Sequence, residues 1–206
     1  ARREATIIDA GKEGFGRAMQ QSDIDALIVA HALKGLHVVR LKAGDPTVFG
    51  RLDEEIDACD AAGISWRIIP GITAASAAVA SIGQSLTKRH RNTDVRFLSG
   101  QDIKGFADHD WTLLARPNEI AAFYMSTTAA RFIQGRLLMH GAAAKTPITL
   151  VENASRADER VVATTLVDLA QCHQTHAFQG PVLSLYGLPP RDAVQTLQHI
   201  LHRDLA

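Results

Sequence analysis

Apolar and amphipathic stretches alternate along the first 85 or so residues. Three short apolar runs have the length and residue types of strands: ATIIDAG (5–11), HVVRLK (37–42) and SWRIIP (65–70). Three other stretches place apolar residues at helical spacing and end at a glycine: 22–35, 52–63 and 71–83. Ser22 with Asp25 forms a weakened capping box at the start of the first. This alternation predicts βαβ units, and so an N-terminal α/β domain with a mainly parallel sheet and helices on both faces.

The basic stretch TKRHRNTD (87–94) interrupts this pattern and predicts a junction between domains at 1–88 and 89–206. Beyond it, the predicted strands are 95–100, 119–125, 147–153, 160–165 and 180–187. The predicted helices are 127–141, 166–172 and an amphipathic C-terminal helix that includes 194–203. The segment NASRADE (153–159) leaves no room for a crossover helix between two of the strands. We therefore expect a mixed sheet in the C-terminal domain.

Composition limits the classes of partner. The 206 residues are 46% hydrophobic and 21% charged, with 22 basic and 22 acidic residues and a formal net charge of +0. This balance is typical of a globular protein, and it predicts neither a nucleic-acid nor a membrane partner. Cys59 and Cys172 lack Cys-x-x-Cys spacing, which favours a reducing compartment, so we expect a cytoplasmic location. No apolar run approaches the roughly 20 residues of a membrane span, and the first residues lack the apolar core of a signal peptide.

Three turns at the ends of predicted elements are candidate ligand contacts. In VVRLKAGDPTVFGR (38–51), Gly44 allows a ligand close to the backbone and Asp45 is a hydrogen-bond acceptor, although an ordinary Asp-Pro turn has the same pattern. In PGITAASAA (70–78), Thr73 is placed to cap a helix of small residues, which also suits close packing. FYMS (123–126) suits either a ring-shaped ligand or core filling. The dinucleotide fingerprint Gly-x-Gly-x-x-Gly is absent.

The cations cluster locally in two places. One cluster is 88–91 (Lys-Arg-His-Arg), and Arg40, Lys42 and Arg51 flank the Gly-Asp-Pro turn. Such clusters are either solvated surface or a receptor for carboxylates, which arginine binds in a bidentate manner. The histidine pairs 173/176 and 199/202 have i, i+3 spacing without a third ligand nearby, so we predict no metal site. No Gly-x-Ser-x-Gly or Cys/His arrangement indicates a nucleophile.

The order and spacing of these motifs resemble one family. A Gly-Lys pair after a strand, VVRLKAGDPTVFGR, IIPGITAASAA, FYM and TPITLVENASRADERVVATTLVDL follow one another as in the tetrapyrrole methylases, most closely the uroporphyrinogen-III C-methyltransferases. The resemblance covers nearly all of 5–187. It implies a two-domain α/β protein, usually a homodimer, that binds S-adenosylmethionine in the cleft between its domains and releases S-adenosyl-L-homocysteine. The implied reaction is C-methylation of uroporphyrinogen III to precorrin-2, for sirohaem and cobalamin biosynthesis.

The resemblance also implies roles for particular residues. Lys12 matches a position to which the family assigns proton donation, and it is the expected catalytic residue. Arg40, Arg51, Lys88 and Arg89 are the expected partners of the acidic groups of the substrate. The expected cofactor-binding residues are Ala43, Gly44, Asp45, Val48, Thr73, Ala74, Met125 and Ala154.

The chain departs from the family pattern in three places. Ala43 and Ala154 stand where the family usually has glycine, and each is tolerated only at a negative φ with space for a methyl group. The family's first strand, its Gly-Pro-Gly-Asp-Pro turn and a strand with a catalytic Asp belong ahead of Ala1. We therefore expect about one βαβ unit, of 30 or more residues, to be missing.

Two alternatives to the implied function stay open: an enzyme that methylates a later corrin precursor, and a catalytically silent member of the fold.

Overall fold

The computed structural model describes residues 4–11 and 19–191. The chain divides into two compact units, Ala1–Gly71 and Ile72–Ala206. The elements are α1 (Gln21–Ala32), α2 (Leu52–Ala61), α3 (Ala74–Ser81), β1 (Arg96–Ser99), β2 (Gln101–Asp102), β3 (Gly105–Phe106), α4 (Trp111–Leu114), β4 (Ala121–Tyr124), α5 (Ala130–Met139), β5 (Pro147–Glu152), β6 (Arg160–Thr165), a 3-10 turn (Leu166–Asp168), α6 (Leu169–His176) and β7 (Val182–Tyr186). No helix among the described residues is long and apolar enough to cross a membrane.

The first unit contains the helices α1 and α2. Both end where the sequence predicts, because Gly35 and Gly63 take left-handed backbone angles, with φ of +76° and +66°. The capping box predicted at Ser22 is wrong. Gln20 occupies the N-cap position without a side-chain cap bond, and Ser22 lies inside the helix. The side chain of Gln21 bonds instead to Asp25 and to Glu55 of α2, which joins the two helices.

The three strands predicted for the first unit are not formed. Within the described part of the chain, 5–10, 37–42 and 65–70 carry no strand hydrogen bonds. Large apolar side chains in them are exposed, including Leu41 at 82% and Ile7 at 78%. The physical reason is that a strand needs a hydrogen-bonded neighbour, and none of these three segments pairs with another described segment. The predicted parallel sheet of the first unit is therefore corrected to unpaired segments between helices.

The second unit is built on a five-stranded mixed sheet in the order β1-β4-β7-β5-β6. β1 and β4 are parallel, and the other three pairings are antiparallel. The hairpin of β5 and β6 has no crossover helix, as the short segment between them predicts. This mixed sheet confirms the prediction for the C-terminal domain, and the chain as a whole has the predicted α/β class.

Side chains of the sheet alternate between two cores. In β4, Ala121 and Phe123 belong to a core covered by α4, α5 and α6, whereas Ala122 belongs to a second core and Tyr124 packs against it. The helix α3 covers the second core with Ala75, Ala78, Val79 and Ile82. Because α3 packs on this sheet, the compact units divide at Gly71, ahead of residue 88, where the sequence places the domain boundary.

Candidate functional site

The Gly44–Asp45 turn in the first unit is held together by one carboxylate. Gly44 has a φ of +73°, which only glycine adopts without strain. Oδ1 of Asp45 accepts hydrogen bonds from the backbone N–H and the hydroxyl of Thr47, at 2.8 and 2.6 Å. Oδ2 accepts a third from the N–H of Gly71, at 3.3 Å. The hydroxyl and the backbone amide of Thr47, in that order, hold the pKa of Asp45 below its ordinary value.

Gly71 allows a second segment to lie directly against this turn. A Cβ at Gly71 would overlap the carbonyl oxygen of Gly44, so no other residue fits without a shift of the backbone. The segment that ends in Pro70-Gly71 and the Ala43-Gly44-Asp45 turn therefore form one tight backbone junction. The junction therefore presents the exposed residues Ala43 and Gly44 beside a carboxylate that accepts three internal hydrogen bonds.

The other predicted contacts around the turn are compatible with a ligand. Ala43 is exposed, and its φ is negative. Val48 is half-buried, and its N–H donates to the carbonyl of Asp45 at 3.2 Å. Phe49 and Arg51 take positive φ values of 51° and 54°, which are uncommon for residues other than glycine. Such backbone angles tend to cluster at functional sites.

The cations near the turn are paired with acids of α2. Arg40 and Lys42 both reach the buried carboxylate of Glu55, at 3.1 and 2.8 Å. Arg51 binds Glu54 through two nitrogens, at 2.7 and 2.6 Å, on the exposed surface. Arg40 and Arg51 would have to exchange these acids for a carboxylate of a substrate, which is easier for the exposed Arg51.

In the second unit, Tyr124 joins the start of α3 to the end of β4. Its hydroxyl oxygen lies 2.5 Å from Oγ1 of Thr73 and accepts a hydrogen bond from the N–H of Ala75, at 3.1 Å. Thr73 occupies the N-cap position but makes no side-chain cap bond, so the cap predicted for it is supplied by Tyr124. Ala74 is the half-buried first residue of this helix.

Met125 follows Tyr124 with its backbone fixed and its side chain exposed. Its φ is 51°, and 49% of the residue surface is accessible. The next residue, Ser126, is buried, and its hydroxyl lies 2.8 Å from that of Ser184 in β7. The N–H of Gly100, at the end of β1, donates to the carbonyl of Tyr124 at 2.7 Å. A thioether presented in this way suits contact with an apolar or ring-shaped group.

Ala154 lies in the β5–β6 turn and carries no backbone strain. The positive φ values of the turn fall on its neighbours, Asn153 at 52° and Ser155 at 66°. The buried carboxylate of Glu152 accepts hydrogen bonds from the N–H groups of Gln179 and Gly180 and fixes the base of the turn. The methyl group of Ala154 packs against the second core.

Lys88 and Arg89 lie far from Met125 within the second unit. They line an open groove of about 650 Å³ with residues 87–94 and 117–119, which precede β1 and β4. Met125 instead follows the last residue of β4, and a strand of four residues is about 13 Å long. The structure therefore places these two cations at the end of the sheet opposite to Met125.

Several predicted positions lie outside the described residues: Lys12, the histidines 199 and 202, and the C-terminal amphipathic helix. Of the other histidine pair, His173 is buried in α6 and His176 is exposed. In the described ranges 4–11 and 19–191, no group of three or more His, Cys, Asp or Glu side chains is placed to hold a metal ion.

The structure groups the predicted residues within each unit. In the first unit, Ala43, Gly44, Asp45 and Val48 share one turn, and in the second, Thr73 and Ala74 are tied through Tyr124 to the strand end that carries Met125. Sequence reasoning missed the roles of Gly71 and Tyr124. Both stand in quoted motifs, Pro-Gly-Ile and Phe-Tyr-Met, but their partners are 26 and 51 residues away in the chain.

Comparisons with known proteins identify the family. The model of the tetrapyrrole (corrin/porphyrin) methylases matches residues 2–170. The chain is 41% identical over 187 residues to the siroheme synthase of Xylella fastidiosa, covering 91% of this chain and 39% of that protein. It is 44% identical over 168 residues to the siroheme synthase of Edwardsiella ictaluri, covering 82% and 36%. The chain spans about two-fifths of the length of these relatives.

Solved structures agree with this assignment. The uroporphyrin-III C-methyl transferase of Thermus thermophilus, complexed with S-adenyl homocysteine, matches with a TM-score of 0.68 and 30% identity over 81% of this chain and 73% of that chain. The cobalt precorrin-4 methyltransferase CbiF shares the fold, with a TM-score of 0.73 and 24% identity over 82% and 71%. The chain belongs to the tetrapyrrole methylase family, as predicted. The predicted class of enzyme agrees with this family, and the predicted cofactor agrees with the ligand of the Thermus structure.

Proposed function

We propose that the chain methylates uroporphyrinogen III at C2 and C7 with S-adenosylmethionine and so forms precorrin-2. The observation that carries the proposal is the 41% identity to a siroheme synthase over 91% of this chain. The 30% identity to a uroporphyrin-III C-methyl transferase supports the same substrate. Because the chain covers only 39% of the first relative, the activity of the whole protein is part of the proposal.

The residues present fit the proposed cofactor. The turn at Gly44 has the exposed residues Ala43 and Gly44 beside the aliphatic Val48, and its one charged member, Asp45, is an anion that suits a sulfonium cation. Thr73, Ala74 and the exposed thioether of Met125 offer hydrogen-bonding and apolar contacts for a nucleoside. We propose that each set binds part of the cofactor.

The two alanines that replace family glycines support an active rather than a silent protein. Ala43 and Ala154 both have negative φ, so their methyl groups add no backbone strain. Ala43 is exposed and Ala154 is half-buried in an ordered turn. Both positions therefore meet the condition of a negative φ under which alanine can replace glycine.

The chemistry asks mainly for positioning. When bound, S-adenosylmethionine supplies a methyl group already activated on sulfur. The protein then has to hold a carbon of the substrate in line with it, and such alignment contributes about 7–11 kcal/mol to catalysis. We propose that Arg51 and Arg40 bind acidic groups of the substrate, and that Lys12 handles protons at the reacting ring. Lys12 then contributes less than alignment does.

Location and assembly complete the proposal. A cytoplasmic homodimer is consistent with the free cysteines Cys59 and Cys172 and with the family resemblance. Analytical ultracentrifugation of the intact protein checks the assembly. A species of one protomer at micromolar concentration contradicts the dimer.

Methyl transfer tests the function. The intact protein is incubated with anaerobically prepared uroporphyrinogen III and methyl-labelled S-adenosylmethionine, and the product is followed by absorbance and mass. We expect two methyl groups per tetrapyrrole. Transfer only to a later corrin precursor supports the sibling enzyme, and cofactor binding without transfer to either substrate supports a silent protein.

Lys12→Ala serves as the chemical control. We expect it to keep its affinity for S-adenosylhomocysteine and to lower kcat by about 10²-fold or more, the usual contribution of a proton-transfer group. Weaker cofactor binding with normal kcat at saturating cofactor would contradict this role. It would make Lys12 a cofactor-binding residue, the role proposed for Asp45.

A further inference from the structure

We propose that Tyr124 is a positioning residue of the cofactor site, and this inference rests on the proposed function. Its hydroxyl links the first turn of α3, which carries Thr73 and Ala74, to the strand end that carries Met125. Tyr124 thereby fixes proposed cofactor contacts from two separate elements relative to one another.

The link is made at one oxygen atom. Oη of Tyr124 accepts the N–H of Ala75 at 3.1 Å and shares a hydrogen bond with the hydroxyl of Thr73 at 2.5 Å. Ala75 is fully buried, so its N–H loses its recorded partner if this oxygen is removed. The ring of Tyr124 packs at 5.9 Å from that of Phe97 in β1, which restricts where the hydroxyl can point.

The residue that follows Met125 is also held in place. Ser126 is 1% exposed and its hydroxyl lies 2.8 Å from Ser184, which is 3% exposed. A Cβ at Gly100 would overlap the carbonyl oxygen of Met125, so β1 also lies against this residue. Met125 is therefore held at both neighbours while its side chain stays exposed, as a contact residue requires.

Loss of the Tyr124 hydroxyl is expected to act on binding more than on chemistry. Thr73 loses its partner and the start of α3 gains freedom, so part of the binding energy goes into ordering it. The hydroxyl bonds to Thr73 and Ala75, so we expect it to act on the cofactor through the start of α3. We expect the KM for S-adenosylmethionine to rise about tenfold, with kcat within about threefold, because a loss of uniform binding has this signature.

Calorimetry with S-adenosylhomocysteine on the intact protein tests the inference. Tyr124→Phe removes the hydrogen bonds of this hydroxyl to Thr73 and Ala75 and is expected to weaken binding about tenfold, which corresponds to 1.4 kcal/mol. Tyr186→Phe is the matched control, since Tyr186 is a buried tyrosine of the same sheet whose side chain lies in the other core. We expect the control to bind within twofold of the wild type.

A double-mutant cycle separates positioning from general destabilisation. Thr73→Val removes the same hydrogen bond, so the variant with both changes should bind no more weakly than about the weaker single variant. Thr73→Ser keeps the hydroxyl and should retain more affinity than Thr73→Val. The unfolding midpoint of each variant shows whether it folds. If one of the two single variants does not fold, the affinity of the other tests the inference in its place.

The experiment distinguishes failure of the proposed function from failure of the inference about Tyr124. Wild-type protein that does not bind S-adenosylhomocysteine overturns the proposed function and the inference with it. Wild-type binding that Tyr124→Phe leaves unchanged overturns the inference alone, as does a Tyr124→Phe effect that merely adds to that of Thr73→Val. Equal weakening in Tyr124→Phe and Tyr186→Phe also overturns it.

Discussion

The carboxylate of Asp45 reaches the backbone N–H of Gly71, 26 residues further along the chain, at 3.3 Å. Its other oxygen binds Thr47 twice, so all of its recorded hydrogen bonds are internal. The residue that the sequence singles out as a ligand contact therefore also builds the turn that it stands in. Its effect on ligand binding is expected to come in large part through the shape of that turn.

Asp45→Ala should weaken binding of S-adenosylhomocysteine about tenfold, because three hydrogen bonds that shape the turn are lost. Asp57→Ala, which removes an exposed carboxylate of α2, is the control and should bind as the wild type does. Calorimetry measures both. Equal affinities of Asp45→Ala and Asp57→Ala would contradict the role of the turn.

Asp45→Asn should change the pH dependence of stability. Hydrogen bonds from Thr47 lower the pKa of Asp45, so their contribution is present above the ordinary carboxyl pKa and is lost as pH falls through the lowered value. Denaturant unfolding between pH 6 and 2 should show a shallower acid loss in Asp45→Asn than in the wild type. Parallel curves would show that this carboxylate is not linked to folding.

Glu55→Gln should destabilise the first unit by about 3 kcal/mol, because it leaves Lys42 and Arg40 without their buried anion. The Glu55 side chain is 6% exposed, whereas that of Glu54 is 48% exposed in its pair with Arg51. Glu54→Gln is therefore the matched control, with an expected loss of less than about 1 kcal/mol. The free energy of unfolding in urea is measured for both variants. Equal losses would contradict the claim that the buried ion pairs of Glu55 stabilise the protein more than the exposed pair of Glu54.

His173→Leu should stabilise the protein, most strongly in mild acid. Burial lowers the pKa of His173, and neither ring nitrogen has a hydrogen-bond partner among the described residues. The unfolded chain therefore binds a proton near pH 6.5 that the folded chain resists, and stability is lost as pH falls below that value. His173→Leu should remove this loss, whereas the exposed His176→Leu should not. Thermal unfolding at pH 5 and 8 shows whether the two variants differ.

Arg51→Ala should raise the KM for uroporphyrinogen III about tenfold, because an arginine fork binds a carboxylate with two hydrogen bonds. The variant with both Lys88→Ala and Arg89→Ala should change that KM less than twofold, since these residues lie at the sheet end opposite to Met125. Steady-state kinetics at saturating cofactor measures both. A larger effect of the Lys88 and Arg89 changes would return the substrate role to that cluster.

Local sequence signals predicted much of the fold. Glycines ended α1 and α2 where left-handed φ values occur, and the short segment 153–159 predicted the β5–β6 hairpin. The short helix α4 was missed although Asp110 caps it by accepting the N–H of Leu113, a signal present in the sequence. The hairpin of β2 and β3 was missed as well, since each strand has only two residues.

Tertiary partners decided what the sequence could not. The strands predicted at 5–11, 37–42 and 65–70 have suitable residues, but pairing depends on a neighbour that composition does not reveal. Thr73 has the right position for a cap, yet Tyr124 supplies the bond from another strand. The motif residues of each unit could be predicted, whereas the groups that hold them in place could not.

Titration of the intact protein with S-adenosylhomocysteine tests the central claim most directly. We expect one molecule bound per protomer, with affinity reduced by Asp45→Ala and by Tyr124→Phe and changed less than threefold by Ala154→Gly, because Ala154 already has a negative φ. Absence of binding by the wild type, or binding that neither Asp45→Ala nor Tyr124→Phe affects, would contradict the account.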